Sequence, residues 1–175
     1  SEGTLDAGIL ATPIEMTGLE EIILYTEPFY VATNSQHPFA SKLSIKKEDL
    51  HGETLLLLED GHCLRGQALD VCSDAMTKER KDFRGTSLET IRHMVSAGIG
   101  ITLIPQTAID YKNLIQNSSI KYIPFNEPAP ARRVGLLFRE TYTRKVCFQK
   151  LAVSIQSITQ KEFSTKEAVE ILPVK

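Results

Sequence analysis

The sequence predicts an α/β fold with a mainly parallel sheet. Three observations carry that expectation. Short β-branched or aromatic runs alternate with segments of helical apolar spacing along the chain. Glu53 to Leu58 holds four consecutive leucines between Gly52 and Asp60-Gly61, the pattern of a strand buried on both faces. Thr86 to Gly98 carries both a helix start and a helix stop.

Taken in order, Leu5 to Thr12 reads as a short strand ended by Pro13. Leu19 to Tyr25 is a second strand, and Glu27-Pro28 is a break. Phe29 to Thr33, β-branched and aromatic, is a third. Asn34 to Pro38 is a polar loop, and a short helical turn starts near Ser44. The leucine run follows. His62 to about Ala75 places Leu64, Ala68, Leu69, Val71 and Ala75 near helical spacing. Phe83-Arg84-Gly85 is a short strand or connector. Thr86 caps the next helix, with Glu89 three residues on, and Gly98 ends it. Ile99 to Ile104 is a strand, and Pro105 can open the next helix at its first turn. Ile120 to Phe125 is a strand, Glu127 to Pro130 a linker, and Val134 to Phe138 another strand. Thr143 to Gln160 is the longest helix, with Val146, Leu151, Val153, Ile155 and Ile158 as its apolar positions. The tail from Lys161 ends in a short apolar stretch, Val169 to Pro173.

Composition narrows the function. The 175 residues are 42% hydrophobic and 24% charged, which is ordinary for a globular chain. Lys plus Arg is 20 and Asp plus Glu is 22, a formal charge of −2, which argues against a basic nucleic-acid-binding surface over the whole chain. No apolar run approaches the roughly 20 residues of a membrane helix, so no membrane partner is expected. No phosphate loop, dinucleotide fingerprint or metal-ligand spacing is present, so neither cofactor nor metal is expected. Three cysteines, with one close pair, suit reduced thiols in a cytoplasmic chain. The opening Ser1-Glu2-Gly3 reads as that of a fragment or a processed chain.

The informative feature is the pair Cys63 and Cys72 in Gly61-His62-Cys63-Leu64-Arg65-Gly66-Gln67-Ala68-Leu69-Asp70-Val71-Cys72. Nine helical steps separate them by about 13.5 Å and turn them to roughly opposite faces. A disulfide needs Cα atoms within about 7 Å. Helix and disulfide therefore exclude one another: either the pair never bonds, or bonding unwinds the helix. Cys63 is the better nucleophile, because a helix N-terminus favours thiolate and His62 and Arg65 add donors or positive charge. Cys72, in an apolar stretch, would be the resolving thiol. The plain alternative is two small buried hydrophobes. Cys147 has no local partner and reads as filler on the inner face of its helix. Thr86 and Ser87 are first a helix start and could line a ligand site. Arg132-Arg133 is a basic pair that could face a cleft.

Gly61-His62-Cys63-Leu64-Arg65, Gln67-Ala68 and Cys72 resemble the redox centre of the hydrogen-peroxide-sensing regulators of the LysR type. Leu57 to Asp60, Phe83-Arg84, Thr86 to Thr90, Gly98 to Leu103 with Pro105, and Arg132 to Leu136 resemble the same family. So do Glu27-Pro28-Phe29 and His37-Pro38. The similarity runs from about Leu5 to about Ile158.

The resemblance implies a periplasmic-binding-protein-like two-lobe effector domain, with the first lobe incomplete. Residues 1–27 would be part of regulatory lobe I. Residues 28–133 would form lobe II with the redox cysteines, 134–160 would return to lobe I, and 161–175 would be a C-terminal tail. Peroxide would oxidise Cys63, and a disulfide to Cys72 would refold the intervening helix and remodel subunit contacts. The family works as a homodimer or homotetramer. Only its full-length members contact promoter DNA and RNA polymerase, and a thiol reductant resets them. It is not an enzyme. Thr86, Ser87 and Arg133 would line the effector cleft. Gly66 stands where well-known members have aspartate, which removes an acidic neighbour of the thiol and eases unwinding. An uncovered sheet edge in lobe I is expected. The alternative is a small-molecule-binding effector domain of the same type without redox switching.

Overall fold

The structure, a computed structural model, describes residues 5–14, 17–59, 63–72, 78–109, 119–162 and 169–171. The strands are β1 (Ala7–Thr12), β2 (Leu19–Asn34), β3 (Thr54–Leu58), β4 (Lys78–Gly85), β5 (Thr102–Pro105), β6 (Ile120–Pro124), β7 (Ala129–Arg139) and β8 (Val169–Ile171). The helices are α1 (Cys63–Cys72), α2 (Leu88–Ser96) and α3 (Lys145–Glu162). No helix among the described residues is long and apolar enough to cross a membrane.

β2 organises the molecule. It runs unbroken through Glu27-Pro28, where the sequence suggests a break. What changes there is the partner. Leu19 to Pro28 pair with β7, and Phe29 onward pairs with β5 and β6. Proline has no N–H to give, so a changeover between partners is where a strand tolerates it best. Every pairing of β2 is antiparallel, as is β1 with β7. The main sheet is thus largely antiparallel, contrary to the expected parallel one. β2 and β7 carry the chain across it in opposite directions. Among the described residues, strand-to-strand parallel pairing is confined to β3 with β4 and β7 with β8. Glu127 to Pro130, expected as a linker, already enters β7 at Ala129.

The leucine run folds as expected. Leu55 to Leu58 of β3 are all buried, and the strand pairs in parallel with β4. Its other flank takes the segment before β5: Leu56 N–H donates to Ile101 O at 2.8 Å and Ile101 N–H to Thr54 O at 2.9 Å. One core cluster joins Phe29 and Val31 of β2, Leu55 and Leu57 of β3, Ala68, Val71 and Cys72 of α1, and Ile101 and Leu103 around β5. A second packs Ile91 and Val95 of α2 on Leu56, Leu58 and Ile104.

Helix α2 is capped one residue later than the sequence suggests. Ser87, in extended conformation, accepts from Thr90 N–H, while Glu89 pairs with Arg92 at 2.8 Å instead of closing a box with Thr86. Gly98, at φ +74, ends the helix as expected, in the left-handed region that glycine enters without penalty. Replacing Ser87 with Ala removes the cap hydrogen bond. The expected cost is about 1 kcal/mol, read as a fall of about 2–4 °C in Tm for a chain of this size.

Helix α3 packs on the β1–β7–β2 part of the sheet through Phe148, Ala152 and Ile155. Of its expected apolar positions, Val146, Leu151, Val153 and Ile158 are exposed. Cys147 is exposed as well, which corrects its reading as core filler. At about 100° per residue it stands one step off the inner face marked by Phe148. β1 lies at the edge of the sheet, with Ile9 and Leu10 exposed.

Candidate functional site

The cysteine pair brackets one helix: Cys63 is the first residue of α1 and Cys72 the last. Nine rises of 1.5 Å put their backbones about 13.5 Å apart, roughly twice the reach of a disulfide. The structure is therefore the helical, unbridged state. Cys72 is a thiol, 3% exposed, packed with Leu55, Leu57 and Val71. Cys63 holds the N-terminal position, where backbone N–H groups have no partner within the helix and the dipole favours an anion. His62 lies outside the described residues.

Little intrinsic propensity holds α1 together. Its ten residues are fewer than an isolated helix needs in water. It has no acidic residue in its first turn and no basic residue in its last, and Gly66 sits in its second turn. Its stability comes from tertiary contacts of Leu64, Ala68, Val71 and Cys72 with the core.

Arg65 is half-buried. With Leu64 and Ala68 it lines a small pocket closed by Leu58 of β3, Leu88 of α2 and Thr102 of β5. The cysteine helix and the first turn of α2 thus share one pocket. Gln67, which the sequence reading passed over, is fully buried. Both its amide nitrogen and its amide oxygen lack a hydrogen-bond partner among the described residues. A buried amide left unpaired is costly. It stands four residues after Cys63, one helical turn on. The available signal was a polar residue between Leu64 and Ala68 on the packed side of a helix.

The proposed cleft residues come from two elements, the start of α2 and β7. Thr86 and Ser87 are exposed at the start of α2, and the Ser87 hydroxyl is occupied as the cap. Arg133 lies on β7, flanked by Thr26 of β2 and Thr12 of β1. Its Nε is buried without a hydrogen-bond partner among the described residues. Nearby, Glu27 is fully buried where β2 changes partners and pairs with Arg132 at 2.8 Å. Burial raises the pKa of the Tyr25 phenol. The Glu27 carboxylate pushes the same way, and Arg132 opposes.

Comparison with known proteins gives a consistent family. The LysR substrate binding domain profile matches residues 1–155. The DNA-binding transcriptional dual regulator OxyR of Escherichia coli K12 is 40% identical over 169 residues, covering 95% of this chain and 55% of the relative. Two solved structures, of the oxidised and the reduced form of OxyR, superpose with TM-scores of 0.79 and 0.78 at 40% and 38% identity. Each match covers 92% of this chain, with 75% of the oxidised and 74% of the reduced structure. The chain spans about half the length of the curated relatives it matches.

Proposed function

The chain belongs to the LysR substrate-binding family, and on that footing we propose that it is the regulatory region of an OxyR-type peroxide sensor, switched by a reversible Cys63–Cys72 disulfide. The observation that carries the reading is that the two cysteines are the first and last residues of one short, weakly self-stabilised helix. Bridging them requires that helix to unwind.

The chemistry balances with hydrogen peroxide as the oxidant. The Cys63 thiolate attacks one peroxide oxygen and the O–O bond breaks. This gives a sulfenic acid and hydroxide, which takes up a proton to become water. The Cys72 thiol then displaces the sulfenic hydroxyl, forming the S–S bond and a second water. Two thiols lose two electrons, peroxide gains them, and a thiol reductant reverses the change. His62 and Arg65 favour the thiolate, and the buried amide of Gln67 offers a donor and an acceptor one turn from it. One oxidation per signal suffices, so the region is a switch and not an enzyme.

In this reading residues 1–27 and 134–160 contribute to lobe I, 28–133 make lobe II, and 161–175 form the tail. The changeover of β2 at Pro28 supports that division. Refolding of α1 alters contacts between subunits of a cytoplasmic homodimer or homotetramer. Through the longer protein, it alters how promoter DNA and RNA polymerase are engaged. Ligand sensing at Thr86, Ser87 and Arg133 is the second reading, favoured only by the buried, unpaired Nε of Arg133.

The test is a stoichiometric peroxide pulse, with thiols alkylated before and after and peptides mapped by mass spectrometry. A Cys63–Cys72 crosslink that a reductant removes is the expected result. Cys63 left unmodified, or oxidised without joining Cys72, overturns the reading.

A further inference from the structure

Glu27 is a carboxylate with no exposed surface, two residues before β2 changes partners at Phe29. Such a group is held only where its lone pairs and charge are matched. Arg132, directly across from it on β7, supplies one match: Nε and Nη2 both reach Oε1 at 2.8 Å. That contact joins neighbouring strands within one part of the sheet and would satisfy local pairing alone.

The other oxygen goes elsewhere. Oε2 accepts from Thr107 twice, from its N–H at 2.8 Å and from its hydroxyl at 2.6 Å. Thr107 belongs to the 3-10 turn Gln106–Ala108, which follows β5 on the far side of the changeover. The same turn is gripped from outside, because Arg92 of α2 donates to the Ala108 carbonyl. The first residue of α2, Leu88, shares its pocket with Leu64, Arg65 and Ala68 of α1.

We propose that Glu27 is an interlobe clamp: it fixes the angle between the two lobes, and it carries the state of α1 across the hinge through α2 and the Gln106–Ala108 turn. The second half rests on the peroxide-switch reading above. When α1 unwinds, its pocket against Leu88 opens, and α2 shifts with Arg92 and the Ala108 carbonyl. Thr107 must then move relative to Glu27. A fully matched buried carboxylate does not stretch by degrees; its bonds hold or exchange, so the hinge has discrete settings.

The experiment places spin labels on genetically encoded, non-cysteine residues at Ser41 and Ser154, both exposed and one in each lobe. The three cysteines stay native. Pulsed electron resonance then reads the interlobe distance before and after peroxide, beside the Cys63–Cys72 crosslink yield. The unsubstituted chain is expected to give one narrow distance that shifts on oxidation. Thr107→Val, which removes only the hydroxyl bond and keeps the side-chain volume, is expected to broaden the distribution and lose the shift, with crosslink yield unchanged. Glu27→Gln is expected to do so more strongly, and if it fails to fold, Thr107→Val decides alone. A Thr107→Val chain with the original width and shift overturns the clamp. Should the unsubstituted chain form no crosslink, the peroxide reading fails by itself, and the widths before peroxide still decide whether Glu27 sets the angle.

Discussion

A chain carrying Cys72→Ser is expected to be oxidised by peroxide at Cys63 and to go no further, with α1 still helical. The crosslink is lost completely, because serine cannot displace the sulfenic hydroxyl to form an S–S bond. The unsubstituted chain, by contrast, should lose the ten residues of α1 from its helical signal when the bridge closes. A sulfenic-acid trap and far-ultraviolet circular dichroism on the same samples separate the two events. Helix loss in the Cys72→Ser chain would assign the unwinding to oxidation of Cys63 itself. A crosslink in the unsubstituted chain without helix loss would defeat the geometric argument. Magnitudes also constrain the switch. Unwinding draws Val71 and Cys72 out of a core they share with Leu55 and Leu57. Exposing a side chain the size of Val costs about 1.5–3 kcal/mol. About 3 kcal/mol of lost packing raises the reduction potential of a two-electron couple by roughly 60 mV. A bridge formed at this cost is accordingly expected to be easier to reduce than one that disturbs no packing. Gly66 works against this, because lowering the stability of the helical, reduced state by up to about 1 kcal/mol relative to Ala favours closing the bridge.

Gly100→Ala is expected to be strongly destabilising. A Cβ at that position would lie 2.5 Å from the Thr54 carbonyl oxygen, 3.0 Å from Thr54 Cγ2 and 3.2 Å from Leu56 Cγ. The nearest of these is backbone and cannot rotate away. It is also tied in place, since Ile101 N–H donates to that same oxygen and Leu56 N–H donates to Ile101. Room for the methyl comes only by parting β3 from the segment before β5. Overpacking of this kind costs about 1–3 kcal/mol, and each weakened hydrogen bond adds roughly 1 kcal/mol. A loss of about 3 kcal/mol lowers Tm by roughly 6–12 °C in a chain of this size. Gly8→Ala is the control: its methyl meets nothing nearer than the Leu10 side chain at 3.8 Å, and surface changes of that sort stay within about 0.5 kcal/mol. Denaturant melts of the two variants side by side provide the check. Equal midpoints would mean that β3 and its neighbour yield freely, and that the cysteine helix rests on a softer base than its packing suggests.

What the sequence made legible was local. The run Leu55 to Leu58 reads as buried because its apolar character does not alternate, and buried it is. Gly98 reads as a helix stop because few other residues accept its φ. The cysteine helix reads from its spacing, and its bounds coincide with the cysteines. What stayed hidden depends on partners far along the chain. Pro28 looks like a break unless one knows that β2 exchanges β7 for β5 and β6 beside it. Thr86 and Ser87 are chemically equivalent caps, and only the backbone entry angle selects Ser87. Strand direction is not legible, because alternation of strands and helices says nothing about which strands become neighbours. Gln67 and Glu27 look like surface residues in a list of letters. Their importance lies in having no exposed surface at all, and burial belongs to the whole fold.

The pairing of β1 and β2 with β7 also sets an order of events during synthesis. Ala7 ends up across from Phe138, and Leu19 across from Arg139. The ribosome therefore releases both early strands more than a hundred residues before their shared partner exists. Until then they cannot close the main sheet, and their backbone edges stand open to any other extended chain. The stretch between them is a different matter, because β3, α1, β4, α2 and β5 contact one another over short separations, and Ala129 is what β7 adds to the core around the cysteine helix. Contacts of low sequence separation form first. The part that carries the cysteines is thus the part able to assemble earliest, and the frame that would report on it is completed last.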